Sequence, residues 1–352
     1  MMITLDEAKE LGKGYKVVPI SKEILSDIRT PIEVLRILKG VSRHCYMLES
    51  VEHQERWGRY TFLGYDPKME ITCMNGSLTI RNGSTKTKTV EHPGEGIKEL
   101  LKEYTSPKVE GLPTFTGGLV GYFSYDYVKY SEPKLNLDAE DTEGFKDVDL
   151  MLFDKVIAFD NLRQKIIVIA NARMEDIEAE YTRCTAEIED IIKLIREGIP
   201  TTIEPGRITS DFRALFSEKE YCAMVEKAKK YIYEGDIFQV VLSNRLEADY
   251  EGSLLNTYRH LRTINPSPYM FYFSSDDMEV AGASPETLVK LEDGVLHTFP
   301  LAGTKPRGKT QEEDQELERI LLSDEKERAE HNMLVDLGRN DIGRISKIGT
   351  VK

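Results

Sequence analysis

A chain of 352 residues exceeds what one small core organises, and its 40% apolar content supplies enough buried surface for two cores or one large composite core. Its 47 Lys and Arg against 61 Asp and Glu leave a net charge of −14, which repels phosphate backbones; with no basic cluster beyond the interrupted Lys227, Lys229 and Lys230, general nucleic-acid binding is excluded. Cys45, Cys73, Cys184 and Cys222 stand far apart without a metal or disulfide spacing, the start is acidic and amphipathic, and no apolar run approaches the ~20 residues that span a bilayer, so no membrane role and a soluble, cytoplasmic protein are expected.

From Tyr15 to Ile169 the pattern is mostly strand-like, with one early helix. Pro31 to Lys39 places Pro in a first turn and Ile32, Leu35 and Leu38 at helical spacing. Short strands are predicted at Cys45 to Glu49, Tyr60 to Gly64, Met69 to Met74 and Ser77 to Arg81, with Asn75-Gly76 as a hairpin turn between the last two. A helix follows from Pro93 to Tyr104. Gly117 to Phe123 then reads as a strand whose glycines admit a close backbone neighbour. Strands within Asp149 to Asp160 and at Lys165 to Ala170, turning at Asp160-Asn161, precede a long helix from Met174 to Glu197.

Ile199 to Ser210 is rich in Thr, Pro and Gly without periodicity and reads as a linker. Beyond it, Ser217 and Glu220 form a capping box for a helix with Tyr221, Met224, Val225, Ala228 and Ile232 on one stripe, ending at Gly235. A strand at Ile237 to Arg245, a helix near Leu254 to Arg262, hairpins at Asp276-Asp277 and Asp293-Gly294, and a helical tail from Glu312, broken near Ser323, complete the chain. There is no internal repeat. Hairpin pairing predicts an α+β fold with large antiparallel sheets packed with helices, divided as 15–170, a helix and linker at 171–214, and 215–352; GxGxxG and GxxxxGK[ST] are absent.

Two features carry chemistry by residue type. Glu327 and Glu330, three apart on a helix, share a face and suit a hard oxygen-seeking cation such as Mg²⁺, although spacing alone leaves a solvated charged face as the better reading. Glu286, in Ser284-Pro285-Glu286 at a strand end, could serve as a general acid if enclosed, and alone means little.

In order along the chain come Gly235-Asp236-Ile237-Phe238-Gln239-Val240-Val241-Leu242-Ser243, Asn265-Pro266-Ser267-Pro268-Tyr269, Ser284-Pro285-Glu286, Pro300-Leu301-Ala302-Gly303-Thr304-Lys305, and Glu327 to Asp341. The ordered set resembles the chorismate-utilising enzyme family, with 15–170 similar to its N-terminal domain and 215–352 to the first part of its chorismate-binding domain. Isochorismate and salicylate synthases of this family carry a lysine where this chain has Gln239, and aminodeoxychorismate synthases carry one where it has Ala302. The resemblance therefore points to the aminase subunit of the anthranilate synthase branch, which adds ammonia directly to chorismate and releases pyruvate in the first step of tryptophan biosynthesis.

The resemblance implies Mg²⁺ held by Glu327 and Glu330, Glu286 as the acid that helps the hydroxyl depart, Gln239 at the position that selects the nucleophile, and Gly303 with Thr304 lining the substrate site. It implies a separate glutamine amidotransferase subunit, component II, as ammonia source. Met47 to Ser50, Arg56 to Tyr60 and Asn265 to Phe271 resemble the feedback segments of tryptophan-regulated members, implying an L-tryptophan site at Glu49, Ser50, Asn265, Pro266, Pro268, Tyr269, Met270 and Phe271. Family members continue beyond the point that matches Lys352, so the resemblance also predicts a fold incomplete at the C-terminus and little turnover. The alternatives are an inactive fragment retaining part of a tryptophan site, or aminodeoxychorismate synthase component I.

Overall fold

Runs of alternating apolar residues pair here into two large antiparallel sheets, stacked so that each supplies a wall for the other. A computed structural model describes residues 2–50, 58–132, 134, 135, 137 and 141–352. The first part runs α1 (Leu5–Leu11), β1 (Val17–Leu25), α2 (Pro31–Lys39), β2 (Cys45–Glu49), β3 (Tyr60–Tyr65), β4 (Met69–Met74), β5 (Ser77–Asn82), β6 (Ser84–Thr89), α3 (Pro93–Lys102), β7 (Gly118–Phe123), α4 (Val128–Ser131), β8 (Val148–Phe153), β9 (Lys155–Asp160), β10 (Lys165–Arg173) and α5 (Ile177–Glu197). The chain continues through β11 (Arg207–Ile208), β12 (Arg213–Ala214), α6 (Glu218–Glu234), β13 (Leu246–Glu247), β14 (Tyr250–Glu251), α7 (Leu254–Ile264), β15 (Tyr269–Ser274), β16 (Glu279–Ser284), β17 (Lys290–Glu292), β18 (Val295–His297), α8 (Gln311–Ser323) and α9 (Glu325–Gly343).

The larger sheet has the order β1-β10-β9-β3-β2-β15-β16 and the second β6-β5-β4-β8-β7, while β11-β14, β12-β13 and β17-β18 form two-stranded ribbons. Strand periodicity sorts the side chains. Cys45 and Met47 of β2 join Val34, Leu35 and Leu38 of α2, Ile188 and Ile191 of α5, and Leu255 and Tyr258 of α7 in the principal core. Tyr46 of the same strand turns the other way, packing with Met151 and Phe153 of β8 between the sheets. Val148, Leu150 and Leu152 of β8 face Ile97 of α3 in a third layer of contacts. Both faces of β8 are covered, so every one of its residues is buried.

Local signals account for the punctuation. Thr30 and Glu33 close a capping box on α2, and Ser217 with Glu220 does the same on α6. Asn75 and Gly76, at φ 48° and 77°, make the β4–β5 turn, and Asp293 and Gly294, at 52° and 76°, the β17–β18 turn. Gly121 lies against β8 so closely that a Cβ would stand 2.0 Å from the Asp149 carbonyl oxygen, which is the close approach its strand predicted. Asp324 breaks the tail into α8 and α9 and accepts from the Lys326 and Glu327 amides.

Two results differ from the sequence reading or cut across it. Ile237 to Arg245, predicted as a strand, has no strand structure; Phe238 and Val241 are 89% and 86% exposed, and without a hydrogen-bonding neighbour an apolar run cannot become a sheet strand. The larger sheet also crosses the expected division between 15–170 and 215–352, because β15 pairs with β2. No described helix is long and apolar enough to cross a membrane.

Candidate functional site

Between the two sheets, where β2 and β15 meet β7, lies a cavity of about 630 Å³ whose wall includes Glu49, Ser50, Pro268, Tyr269, Met270 and Phe271. This volume falls within the usual range for small-molecule sites. The remaining wall is largely apolar and aromatic, with Tyr60, Phe62, Val120, Phe273 and Met278 among its residues. Asn265 and Pro266 are not in that wall; Asn265 instead ends α7, its amide donating to the Leu261 carbonyl at 2.9 Å. A Pro-rich turn delivers only its second half to the cavity. Arg56 and Trp57 lie outside the described residues.

Polar groups in the wall are few and specifically placed. The Glu49 carboxylate accepts from the Tyr258 hydroxyl at 2.6 Å and from Arg262 Nη2 at 2.8 Å. Both partners come from one face of α7, four residues apart. Burial, reinforced by the Glu49 charge, pushes the Tyr258 hydroxyl upward, so it stays protonated and donates. The Ser50 hydroxyl is shielded from solvent and has no hydrogen-bond partner among the described residues. An unpaired buried hydroxyl is costly, which makes it a ready partner for a polar ligand group. Tyr258 and Arg262 were missed in the sequence; their i, i+4 spacing on a predicted helix was the available signal, but nothing local says which strand they face.

The cavity can therefore accommodate a flat apolar group and offers the Ser50 hydroxyl at one edge, while the Glu49 carboxylate, in phase with Cys45 and Met47 on the α7 face of β2, is held by Tyr258 and Arg262. An aromatic amino acid has those complementary parts.

The other predicted residues lie in the second half of the chain. On α9, Glu327 and Glu330 are both half-buried. Glu330 Oε1 accepts from Gln239 Nε2 at 3.4 Å, and a Cβ on Gly303 would stand 3.0 Å from Glu327 Oε2. Gln239, Gly303 and the two glutamates are thus brought together. Neither glutamate is paired with Lys or Arg among the described residues, so two uncompensated carboxylates one turn apart offer the donor chemistry that Mg²⁺ uses. A separate group, His44, Glu70 and Asp276, has ligand atoms within 4.8 Å of one another, but Arg81 and Arg43 already stand beside its two acids.

Glu286 and Thr304 are exposed. Neither the Glu286 carboxylate nor the Thr304 hydroxyl makes a hydrogen bond among the described residues, the only bonds at Glu286 being main-chain ones to Ser284. The enclosure expected for a general acid at Glu286 is absent from the described residues, because the strand end opens to solvent there instead of into a pocket.

Residues 43–352 match the family described as chorismate binding enzyme. The chain is 41% identical over 357 residues to anthranilate synthase component 1 of Acetivibrio thermocellus, covering 99% of this chain and 72% of that protein. It is 42% identical over 355 residues to the protein of that name from Aquifex aeolicus, again covering 99% and 72%. The solved structure of anthranilate synthase component I from Streptococcus pneumoniae superposes with a TM-score of 0.70 at 34% identity, covering 91% of this chain and 68% of that one.

Proposed function

The chain belongs to the chorismate binding enzyme family, and from that premise we propose that it is an aminase subunit of anthranilate synthase whose inter-sheet cavity is a feedback site for L-tryptophan. The observation that carries the reading is the gathering of Glu49, Ser50, Pro268, Tyr269, Met270 and Phe271 into one aromatic-walled cavity. The amino acid's charged end lies at the edge formed by Glu49 and Ser50, where the Ser50 hydroxyl bonds it, and the indole fills the apolar slot.

In the catalytic half, Gln239 and Ala302 supply neither a lysine to activate water nor one to attack the ring, which favours ammonia as the nucleophile. Glu286 delivers the proton with which the chorismate hydroxyl leaves as water. Gly303 and Thr304 line the ring, Gly303 because a side chain there would crowd Glu327. Glu327 and Glu330 hold Mg²⁺, which when bound supplies positive charge for a substrate carboxylate. Ammonia comes from a separate glutamine amidotransferase subunit, and the setting is the cytoplasm.

One observation favours a second reading, in which this chain binds tryptophan without turning chorismate over: Glu286 and Thr304 are exposed, and no described residue closes over them. Incubation with chorismate, Mg²⁺ and excess ammonium, read by anthranilate fluorescence with and without L-tryptophan, separates the two. Tryptophan-sensitive anthranilate formation supports the first reading and its absence the second. Isochorismate or aminodeoxychorismate as the main product overturns the assignment.

A further inference from the structure

The cavity wall is tied to the turn that carries Glu286, a coupling that rests on L-tryptophan being the cavity's ligand. β15 and β16 pair so that Tyr269 lies opposite Ser284 and Phe271 opposite Gly282. The Phe271 ring covers Gly282 so closely that a Cβ there would stand 2.3 Å from its Cζ. Past Ser284 the chain turns. The Ser284 hydroxyl accepts from the Glu286 amide at 3.4 Å and donates to the Glu286 carbonyl at 3.2 Å. The next residue, Thr287, shares a 2.5 Å hydrogen bond with the Tyr269 hydroxyl.

Two of the three aromatic residues that line the cavity from this strand, Tyr269 and Phe271, are therefore in contact with the segment that presents Glu286. Phe271 packs on the strand leading in, and Tyr269 bonds the residue leading out. Beyond these, the segment is held by the Thr298 hydroxyl, which donates to the Leu288 carbonyl at 3.4 Å, while the side chains of Glu286 and Leu288 are exposed, Leu288 by 90%. A ligand that packs against Tyr269 fixes where its hydroxyl sits, and Thr287 must follow or lose its partner. We propose that Thr287 is a positioning residue through which occupancy of the tryptophan cavity sets the placement of Glu286. A ligand can bias that placement only to the extent that it binds one arrangement better than the other.

The test uses the full chain, calorimetry with L-tryptophan, and hydrogen exchange at the Glu286, Thr287 and Leu288 amides. In the parent, saturating L-tryptophan slows exchange at these amides by about fivefold or more, the lower end of ordinary coupling between sites. Thr287→Val, close in shape but without the hydroxyl, still binds L-tryptophan and loses the slowing. Thr287→Ser, which keeps the hydroxyl, restores it. Undiminished slowing in Thr287→Val, or binding to the parent with no slowing at all, overturns the link. No binding of L-tryptophan to the parent overturns the cavity reading beneath it.

Discussion

The larger sheet and the segment from 285 to 352 both carry large apolar residues, and these reach opposite states of burial. In the sheet, β10 buries every residue from Ile166 to Ala172, because helices cover one face and the other packs in a cluster with Leu112 and Phe115, from the segment between α3 and β7. From 285 to 352 no residue is buried; Leu288, Leu322 and Ile345 are 90%, 67% and 72% exposed. Apolar content does not make a core; a facing partner does. The consequence is functional. The candidate tryptophan cavity is walled by sheet residues whose positions are fixed from both sides, whereas Glu286, Thr304, Glu327 and Glu330 stand on elements that the described residues cover on one side at most.

Four tests sharpen or break that contrast, beginning with the largest expected effect. Leu35→Ala, at a fully buried position in the principal core, costs about 2–5 kcal/mol in urea unfolding. Leu337→Ala, 55% exposed on α9, changes stability by less than about 0.5 kcal/mol. Equal losses at the two sites would show that the tail is packed after all.

A second pair applies one chemical change to both regions. Gly121→Ala drives a methyl to 2.0 Å from the Asp149 carbonyl oxygen and costs about 1–3 kcal/mol as the strands part. Gly343→Ala meets nothing within 4 Å and gains up to about 1 kcal/mol from helix propensity. Thermal unfolding of both variants checks the sign as well as the size.

The third concerns acid. Burial pushes the Glu279 carboxyl up, but hydrogen bonds from Lys39, Tyr272 and the Leu254 amide outweigh it and leave the group below its ordinary value of 4.5. A depressed folded value means that its stabilisation is present above 4.5 and disappears as pH falls through the lower folded value. Because Glu279 also bonds Ser253 at the start of α7, acid should loosen α7, the helix that holds Glu49. Glu279→Gln flattens the acid limb of an exchange profile for α7. Glu292→Gln, in an exposed pair with Lys290, leaves it unchanged.

The smallest effect belongs to a surface pair. Arg207→Ala removes an ion pair with Glu251 whose side chains are 73% and 61% exposed, and shifts stability by less than about 0.5 kcal/mol.

Much of the fold was legible because its signals are local. The capping box before α2, the Asn75-Gly76 and Asp293-Gly294 turns, and the close approach at Gly121 each depend on a few neighbouring residues. β6 was missed, since Ser84 to Thr89 is exposed throughout and carries no apolar alternation; Thr85, Thr87 and Thr89 at period two were its only sign. Ile237 to Arg245 failed in the other direction, with strand-forming residues but no adjacent strand. The cavity was half legible. Its residues from β2 and β15 were nameable from the resemblance, while Val120 reaches it through the stacking of the sheets and Tyr258 and Arg262 hold Glu49 from α7, which no local pattern encodes.

The central claim is that the cavity walled by β2 and β15 recognises L-tryptophan, and calorimetric titration of L-tryptophan into this chain beside Ser50→Phe tests it most directly. The account predicts saturable binding to one site in the parent and at least a tenfold loss of affinity, about 1.4 kcal/mol, in the variant, whose ring would occupy the polar edge of the cavity. No saturable heat from the parent, or equal affinity in Ser50→Phe, would contradict it.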